Sequence, residues 1–270
     1  MIKVRRNTVI SWLSILLIFA VWFLISWGVW IGRSVEFPSP FTTIQGLFEK
    51  LFGEQIYDFS IYLHTAASLA RWAFAYIVAV LVGIGSGFVI GVNQTVNRLF
   101  MPLIYVLQLI PGLAWIPIAL LIFGLGNIST IFMIFILAVT PIIITTSSGI
   151  RETSKDLIDA AVIMGANKKD LFIHVLFPSA LFQIVDGMRI GLANSWRVLI
   201  AAEMIVGDGI GLGYIIIQSR WSLDYTSAFI SILIIVIIGL TTEKLVFKKI
   251  EDLLRVKYGQ DFQQNQLSLE

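Results

Sequence analysis

The sequence has 270 residues, of which 57% are hydrophobic and only 13% are charged, with a formal net charge of +2. The charged share is about half that of a soluble globular protein, so the composition excludes both a soluble fold and intrinsic disorder. The small net charge and the lack of a basic stripe argue against nucleic-acid binding. The chain has no cysteine, which excludes disulfides, thiol nucleophiles and thiolate metal sites.

A membrane-spanning helix needs about 20 mostly apolar residues, and six segments satisfy this requirement. They lie at residues 9–31, 72–91, 103–123, 128–147, 184–206 and 228–246. The sequence therefore predicts an all-α, polytopic membrane protein with about six transmembrane helices. The first segment could also be a signal peptide, but it is too long and no cleavage site follows it. A retained membrane anchor is the better interpretation.

Lysine and arginine residues indicate the orientation, because they concentrate in cytoplasmic loops. With the N-terminus inside, the internal segments hold thirteen of the 19 basic residues and the external segments hold four, including Arg71. Arg189 and Arg197 fall in the fifth span. This bias predicts a multi-pass protein of the cytoplasmic (inner) membrane with both termini in the cytoplasm.

The segments between the spans divide the chain into three parts. Residues 1–60 hold the first span and an external segment with a short amphipathic helix at 41–52, where apolar residues recur at helical spacing. Residues 61–250 hold the other five spans, with a long internal loop at about 150–183. Residues 251–270 form a polar cytoplasmic tail, which we expect to be mobile from Tyr258 onward.

The internal loop is much longer than a connector needs to be, and its pattern is helical. Thr153 or Ser154 can begin a helix, an apolar face follows, and Gly165 is a natural helix stop. Asn167 begins a second helical turn. The sequence therefore predicts a helix–Gly–helix unit on the cytoplasmic surface, whose apolar face packs either on the ends of the bundle or on a partner.

This loop resembles the cytoplasmic signature of the permease subunits of ATP-binding-cassette (ABC) importers. That signature is Glu-Ala-Ala, a Gly four residues later, and then Ile-x-Leu-Pro; here Asp, Val and Phe replace Glu, Ile and Leu. The matching residues are Asp159, Ala160, Ala161, Gly165, Val175, Phe177 and Pro178, and the resemblance implies that the neighbouring Ala166 also belongs to the ATPase-coupling segment. The shorter Asp159 side chain changes the geometry of any salt bridge across a subunit interface.

Five further blocks are similar to the nitrate/sulfonate/taurine/bicarbonate branch of that family, and the similarity covers about residues 61–250. The blocks are residues 64–71, 111–117, 123–126, 196–203 and 211–214. The resemblance implies a type I importer permease fold whose cytoplasmic coupling helix contacts an ATPase. It also implies four partners: a second permease chain, two ATPase subunits and an external solute-binding protein. A homodimer is expected, and a heterodimer with a sister permease is the alternative.

The sequence contains no phosphate-binding loop motif, which supports the expectation that ATP is hydrolysed by a separate subunit. We therefore predict that the chain is not an enzyme and that it has no catalytic residues, cofactor or metal. The two histidines are predicted to lie on opposite sides of the membrane.

Residues within the spans suggest packing contacts and a pathway. Gly83, Gly87 and Gly91 recur every four residues, which lets two helices approach closely. Proline kinks helices, and broken membrane helices often line a cavity. Proline interrupts the third span at Pro111 and Pro117 and the fourth at Pro141; the interruptions fit either a bent packing helix or a pathway that Trp115 faces.

Charged residues in the fifth span also suggest a pathway, because charge is costly at membrane depth. Arg197 and Glu203 are six residues apart, so they lie on different faces of one helix and each needs another partner. An arginine facing a cavity suits a small anion, although a carboxylate of a partner chain could also neutralise it. Trp196 and Glu203 match the family motif at the dimer interface or pathway.

The function predicted from the sequence is thus that of an importer permease for a small anion such as nitrate, a sulfonate, taurine or bicarbonate. One alternative is the same machinery for a neutral vitamin precursor of the pyrimidine or riboflavin type. An intramembrane enzyme using Asp208 or Glu203 lacks a paired carboxylate. A stand-alone carrier would leave the long internal loop unexplained.

Overall fold

The computed structural model describes residues 2–33 and 37–258 and is almost entirely helical. In chain order the helices are α1 (Ile2–Arg33), α2 (Pro40–Leu51), α3 (Ile61–Val92), α4 (Gln94–Leu109), α5 (Ile116–Phe123), α6 (Asn127–Arg151), α7 (Lys155–Ile163), α8 (Lys168–Leu171), α9 (Phe177–Ile205), α10 (Leu212–Ser222), α11 (Tyr225–Thr242) and α12 (Lys248–Tyr258). A two-stranded antiparallel hairpin, β1 (Gln55–Ile56) and β2 (Phe59–Ser60), separates α2 from α3.

Five helical segments are long and apolar enough to cross a membrane. They are Leu13–Gly32, Ile61–Val92, Asn127–Arg151, Lys168–Ile205 and Tyr225–Leu254. A sixth crossing is possible only if α4 and the following helical segment, Gly112–Phe123, act together across a bend of 104°. The predicted all-α membrane fold is therefore confirmed, and five of the six predicted spans correspond to single continuous helical segments.

The third span predicted at 103–123 is broken at Pro111, as the sequence predicted, but not at Pro117. Ile110 has an extended backbone (φ −73°, ψ 119°), as residues before proline prefer, and Pro111 is also extended. Pro117 does not interrupt a helix but occupies the first turn of α5, where a missing N–H costs nothing. Pro141, by contrast, lies within α6, which continues past it without a break.

The second span begins earlier than predicted, because α3 starts at Ile61 rather than near Trp72. Arg71 therefore lies within a membrane-spanning helix and not in an external loop. The side chain of Arg71 is only 8% exposed.

The helix α6 forms the centre of the bundle and packs against both α3 and α9. The three glycines of the predicted packing face lie directly against α6. A Cβ added to each would lie 2.7 Å from Ile142 at Gly83, 2.6 Å from Thr146 at Gly87, and 2.9 Å from Ile150 at Gly91. On α9, Gly187 and Gly191 approach α6 similarly, so small residues on both neighbours admit the branched side chains of α6.

The predicted helix–Gly–helix unit is present as α7 and α8. Gly165 has φ +86°, a conformation that glycine adopts without strain, and it separates the two helices. Ser154 precedes α7 without a side-chain cap bond, whereas Asn167 and Asp170 form a capping box at α8. A π-helical turn, Phe172–Leu176, then joins α8 to α9.

The ends of the chain are only partly described. The predicted external amphipathic helix corresponds to α2, whose first turn is capped by Ser39. At the other end, α12 continues to Tyr258, well into the part predicted as a polar tail. The mobility predicted for the rest of the tail concerns residues 259–270, which lie outside the described residues.

Candidate functional site

A buried ion pair joins α3 to the end of α9. The Arg71 guanidinium donates to the Glu203 carboxylate, whose side chain is 0% exposed, and a second Arg71 nitrogen lies 3.2 Å from Asp208 Oδ1. The amide of Asn127, at the start of α6, donates to the other Asp208 oxygen over 2.7 Å. The cluster therefore ties three segments together at one end of the bundle.

The glycine-rich turn at 207–213 encloses the Glu203 carboxylate. The backbone N–H of Gly213, in the first turn of α10, donates to Glu203 over 2.9 Å, and the Ser68 hydroxyl lies 2.7 Å from the same carboxylate. A negative charge at a helix N-terminus is stabilised by the helix dipole. Gly211 has φ +148°, and a Cβ there would lie 2.5 Å from the carboxyl carbon of Glu203, so only glycine fits.

The hydrogen bonds of His64 hold it in one tautomer. The N–H of Gly211 donates to His64 Nδ1 over 3.0 Å, so Nε2 carries the proton and donates to the carbonyl of Ile56 over 2.9 Å. The side chain is fully buried. His64 therefore links the β-hairpin to the glycine-rich turn, and it is not free to bind a metal. The described residues contain no group of three or more metal-ligating side chains.

Three residues predicted to lie on a pathway are buried. Trp115 and Trp196 are 7% and 9% exposed within one apolar core cluster, and Glu203 is 1% exposed. Glu203 has its charge and hydrogen-bonding capacity met by the residues around it. The two tryptophans differ, because neither buried indole nitrogen has a hydrogen-bond partner among the described residues.

The structure brings together Arg197 and Pro111, two other residues predicted to lie on the pathway. Both line an open cleft of about 410 Å³ at the bend between α4 and the Gly112–Trp115 turn. Gly112 packs against α9 here, since a Cβ on it would lie 3.1 Å from Val198. The break in the third span therefore contacts α9 at Val198, the residue that follows Arg197.

Arg197 is exposed in this cleft and forms no ion pair with any described residue. It donates from Nε to the carbonyl of Ala193 over 3.0 Å and from a terminal nitrogen to Asn194 Oδ1 over 3.2 Å. Gln108 adds a second amide to the cleft. A guanidinium beside two amides, without a carboxylate, can bind the oxygens of a small anion.

The surface of α7 is exposed on one side and anchored on the other. Ile158 packs against the cluster around Phe88 and Leu176. The outer residues are apolar: Ile163 and Met164 are 86% and 87% exposed. One side of α7 therefore packs on the bundle, and the apolar residues of its other side are exposed.

The residues of the loop signature surround this exposed face. Asp159, Ala160 and Gly165 are exposed, while Ala161 and Ala166 are half-buried and joined by a backbone hydrogen bond of 3.0 Å. Pro178 lies in the first turn of α9. The helix α7 follows α6 in the chain and is joined to α9 through α8 and the π-helical turn.

Sequence reasoning missed Arg71, Asn194 and Gln108. The signal for Arg71 was present, because Glu203 needed a cationic partner on another helix. The signal for Asn194 was its spacing, since residues three apart on a helix face the same side. Gln108 reaches the cleft only through the bend of 104°, which hydropathy does not reveal.

Comparisons with known proteins agree on one class. Residues 79–248 match the family described as binding-protein-dependent transport system inner membrane component. The bicarbonate transport system permease protein CmpB of Synechococcus elongatus is 33% identical over 70% of this chain and 68% of its own. The nitrate import permease protein NrtB of Synechocystis is 32% identical over 80% of this chain and 79% of its own.

Two further similarities also cover most of the chain. The taurine transport system permease protein TauC of Escherichia coli is 29% identical over 88% of this chain and 86% of its own. Among solved structures, the MetNI methionine ABC transporter in inward facing conformations aligns with a TM-score of 0.56 at 20% identity. That alignment covers 80% of this chain and 96% of the other, and at this identity it speaks for the fold alone.

Proposed function

The chain belongs to the family of binding-protein-dependent transport system inner membrane components, and from this premise we propose that it imports a small anion by ATP-driven alternating access. It is an ABC importer permease of the nitrate, bicarbonate and taurine branch. ATP hydrolysis would belong to separate ATPase subunits. The complete complex would contain two permease chains, most simply two copies of this one, together with the two ATPase subunits and an external binding protein.

The observation that carries the proposal of an anion is the cleft around Arg197. An exposed guanidinium on a membrane-spanning helix is costly unless something neutralises it. No described carboxylate does so, and the amides of Asn194 and Gln108 add donors that suit oxyanions. A nitrate, bicarbonate or sulfonate group would supply both the charge and the acceptors.

The pathway proposed here runs past the broken third span. Pro111 and Arg197 line the open cleft, while Trp115 and Trp196 lie in the adjoining core with unpaired indole N–H groups. In an opened state these two donors would gain water or solute as acceptors. Glu203, enclosed by its own network, would hold the far end of α9 in register rather than touch the solute.

The exposed face of α7 is the proposed contact with the ATPase. Asp159, Ala160, Ala161, Gly165, Ala166 and Pro178 would shape and support it. Under this proposal α7 and both termini would lie in the cytoplasm, and the bias of the basic residues supports that orientation. The glycine-rich turn and α2 would then be external.

The test is ATP hydrolysis by the complex reconstituted with its binding protein, across nitrate, bicarbonate, taurine, alkanesulfonates and neutral pyrimidine or flavin compounds. One anion should stimulate hydrolysis. In Arg197→Gln the concentration for half-maximal stimulation should rise about tenfold or more, as expected for a lost charged hydrogen bond. Arg220→Gln removes an exposed arginine that lies outside the cleft and should change little.

Stimulation by a neutral compound alone would overturn the anion proposal and give Arg197 a structural role. It would leave the assignment to the permease family intact. Equal effects of the two arginine variants would also contradict a specific role for Arg197.

A further inference from the structure

A second basic cleft lies at the opposite end of the bundle from the Arg71 cluster. The helix α4 begins and α6 ends here, and the amide of Asn97 donates to the Ser147 hydroxyl over 3.2 Å. Beside this contact is a cleft of about 490 Å³, lined by Arg98 and Arg151. Ser148 and Tyr105 add two hydroxyl groups. The volume falls within the range of small-ligand sites, about 300–1,000 Å³.

The two arginines of this cleft have no acidic partner within the described part of the chain. The helix dipole favours Arg151, which ends α6, because cations stabilise a helix C-terminus. It disfavours Arg98, which lies in the first turns of α4, near the positive end of that helix. Helix electrostatics therefore favour only one of the two guanidinium groups that line this cleft, whereas an anionic ligand would pair with both.

The residues around the cleft suit the binding of a lipid, because an apolar surface adjoins the two arginines. Met101 and Pro102 form its apolar side. Along α4, away from the cleft, Leu99, Leu103 and Val106 are 58–64% exposed, which gives acyl chains an apolar surface to follow. Tyr105 is 49% exposed, and tyrosine is enriched at membrane interfaces.

We propose that Arg98 and Arg151 bind the phosphate of an anionic phospholipid headgroup at the cytoplasmic surface. Arginine matches phosphate oxygens in a bidentate manner. Ser148 and Tyr105 hydroxyls would donate to the same phosphate. The cytoplasmic placement rests on the orientation proposed above, but the lipid site itself does not depend on the transported solute.

The test is native mass spectrometry of the full-length chain, alone and in complex with its ATPase subunits, with added phosphatidylglycerol or phosphatidylcholine. The wild type should retain phosphatidylglycerol selectively. Each arginine near an anionic headgroup contributes about fivefold in affinity, so Arg98→Gln/Arg151→Gln should bind about 25-fold more weakly. Arg98→Lys/Arg151→Lys keeps the charge and should recover most of the binding.

The matched control is Lys248→Gln/Lys249→Gln, which removes two exposed charges from α12, outside the cleft. An equal loss in this control would overturn the proposal in favour of general surface charge. Displacement of the lipid by inorganic phosphate at equal concentration would overturn the lipid source. Loss of the ATPase subunits with unchanged lipid retention would assign the arginines to a protein contact instead.

Discussion

The buried charge cluster shows how single residues stabilise one end of this bundle. Arg71 and Glu203 lie on different helices and are 132 residues apart in sequence, and each supplies the charge that makes burial of the other tolerable. Asp208 and Asn127 extend the cluster to the turn after α9 and to the start of α6. The cluster therefore connects α3, α6 and α9 at the same end of the bundle.

Removing one member of this pair should be costly. We expect Glu203→Gln to lower the free energy of unfolding by about 3 kcal/mol, because it leaves a buried guanidinium with only the Asp208 carboxylate nearby. The apparent melting temperature in detergent measures this loss. Glu243→Gln is the control, since that carboxylate pairs with Arg189 at 2.9 Å but is 43% exposed; it should cost less than about 1 kcal/mol. Similar melting temperatures for the two variants would refute the stabilising role.

The residue scale is also where sequence reasoning was weakest. Arg71 was placed outside the membrane because a single charge ends an apolar run, and its partner is remote in sequence. The need of Glu203 for a partner was predictable, but the identity of that partner was not, because ion pairing between helices depends on their packing. For Arg197, the sequence predicted the exposure to a pathway but not the neighbouring amides.

At the scale of elements, the approach of α3 to α6 depends on glycine at every fourth position. Gly87 leaves no room for a methyl group, since a Cβ would lie 2.6 Å from Thr146 and 3.1 Å from the carbonyl of Ile143. Gly85, two residues earlier on the same helix, has open space around it. Alanine at each of the two positions therefore distinguishes the effect of packing on stability from the effect of helix propensity.

We expect Gly87→Ala to destabilise the protein by about 1–3 kcal/mol through overpacking. Gly85→Ala should be neutral or stabilising by less than about 1 kcal/mol, because alanine is the better helix former. Thermal unfolding of the two purified variants in the same detergent gives the comparison. If Gly85→Ala proved the more harmful change, the packing of α3 on α6 would have to be reconsidered.

Local sequence patterns predicted the helices of this chain better than they predicted the packing between helices. The glycine repeat, the Gly165 stop and the Asn167 cap are local features, and the helices they predicted are present. The bend of the third span is not local. Pro111 predicted an interruption but not its angle of 104°, and at the bend Gly112 approaches Val198, which lies 86 residues away in the sequence.

At the scale of the whole molecule, the two proposed functional surfaces are connected through consecutive helices. The exposed face of α7 joins α9 through α8 and the π-helical turn, and the Arg197 cleft lies further along α9. In the proposed mechanism, a displacement of α7 would move one wall of the cleft relative to the broken third span. This connection is the structural basis of the proposed coupling between ATP hydrolysis and solute movement.

The measurement that tests this account most directly is co-purification of the ATPase subunits with the chain carrying Met164→Asp. A charge on the exposed apolar face should abolish the association and with it solute-stimulated hydrolysis, while the chain still inserts in the membrane. Phe52→Asp, at a position that is 86% exposed next to α2, is the matched control and should retain the ATPase. Full association and stimulation in Met164→Asp would contradict the proposal that α7 is the coupling surface.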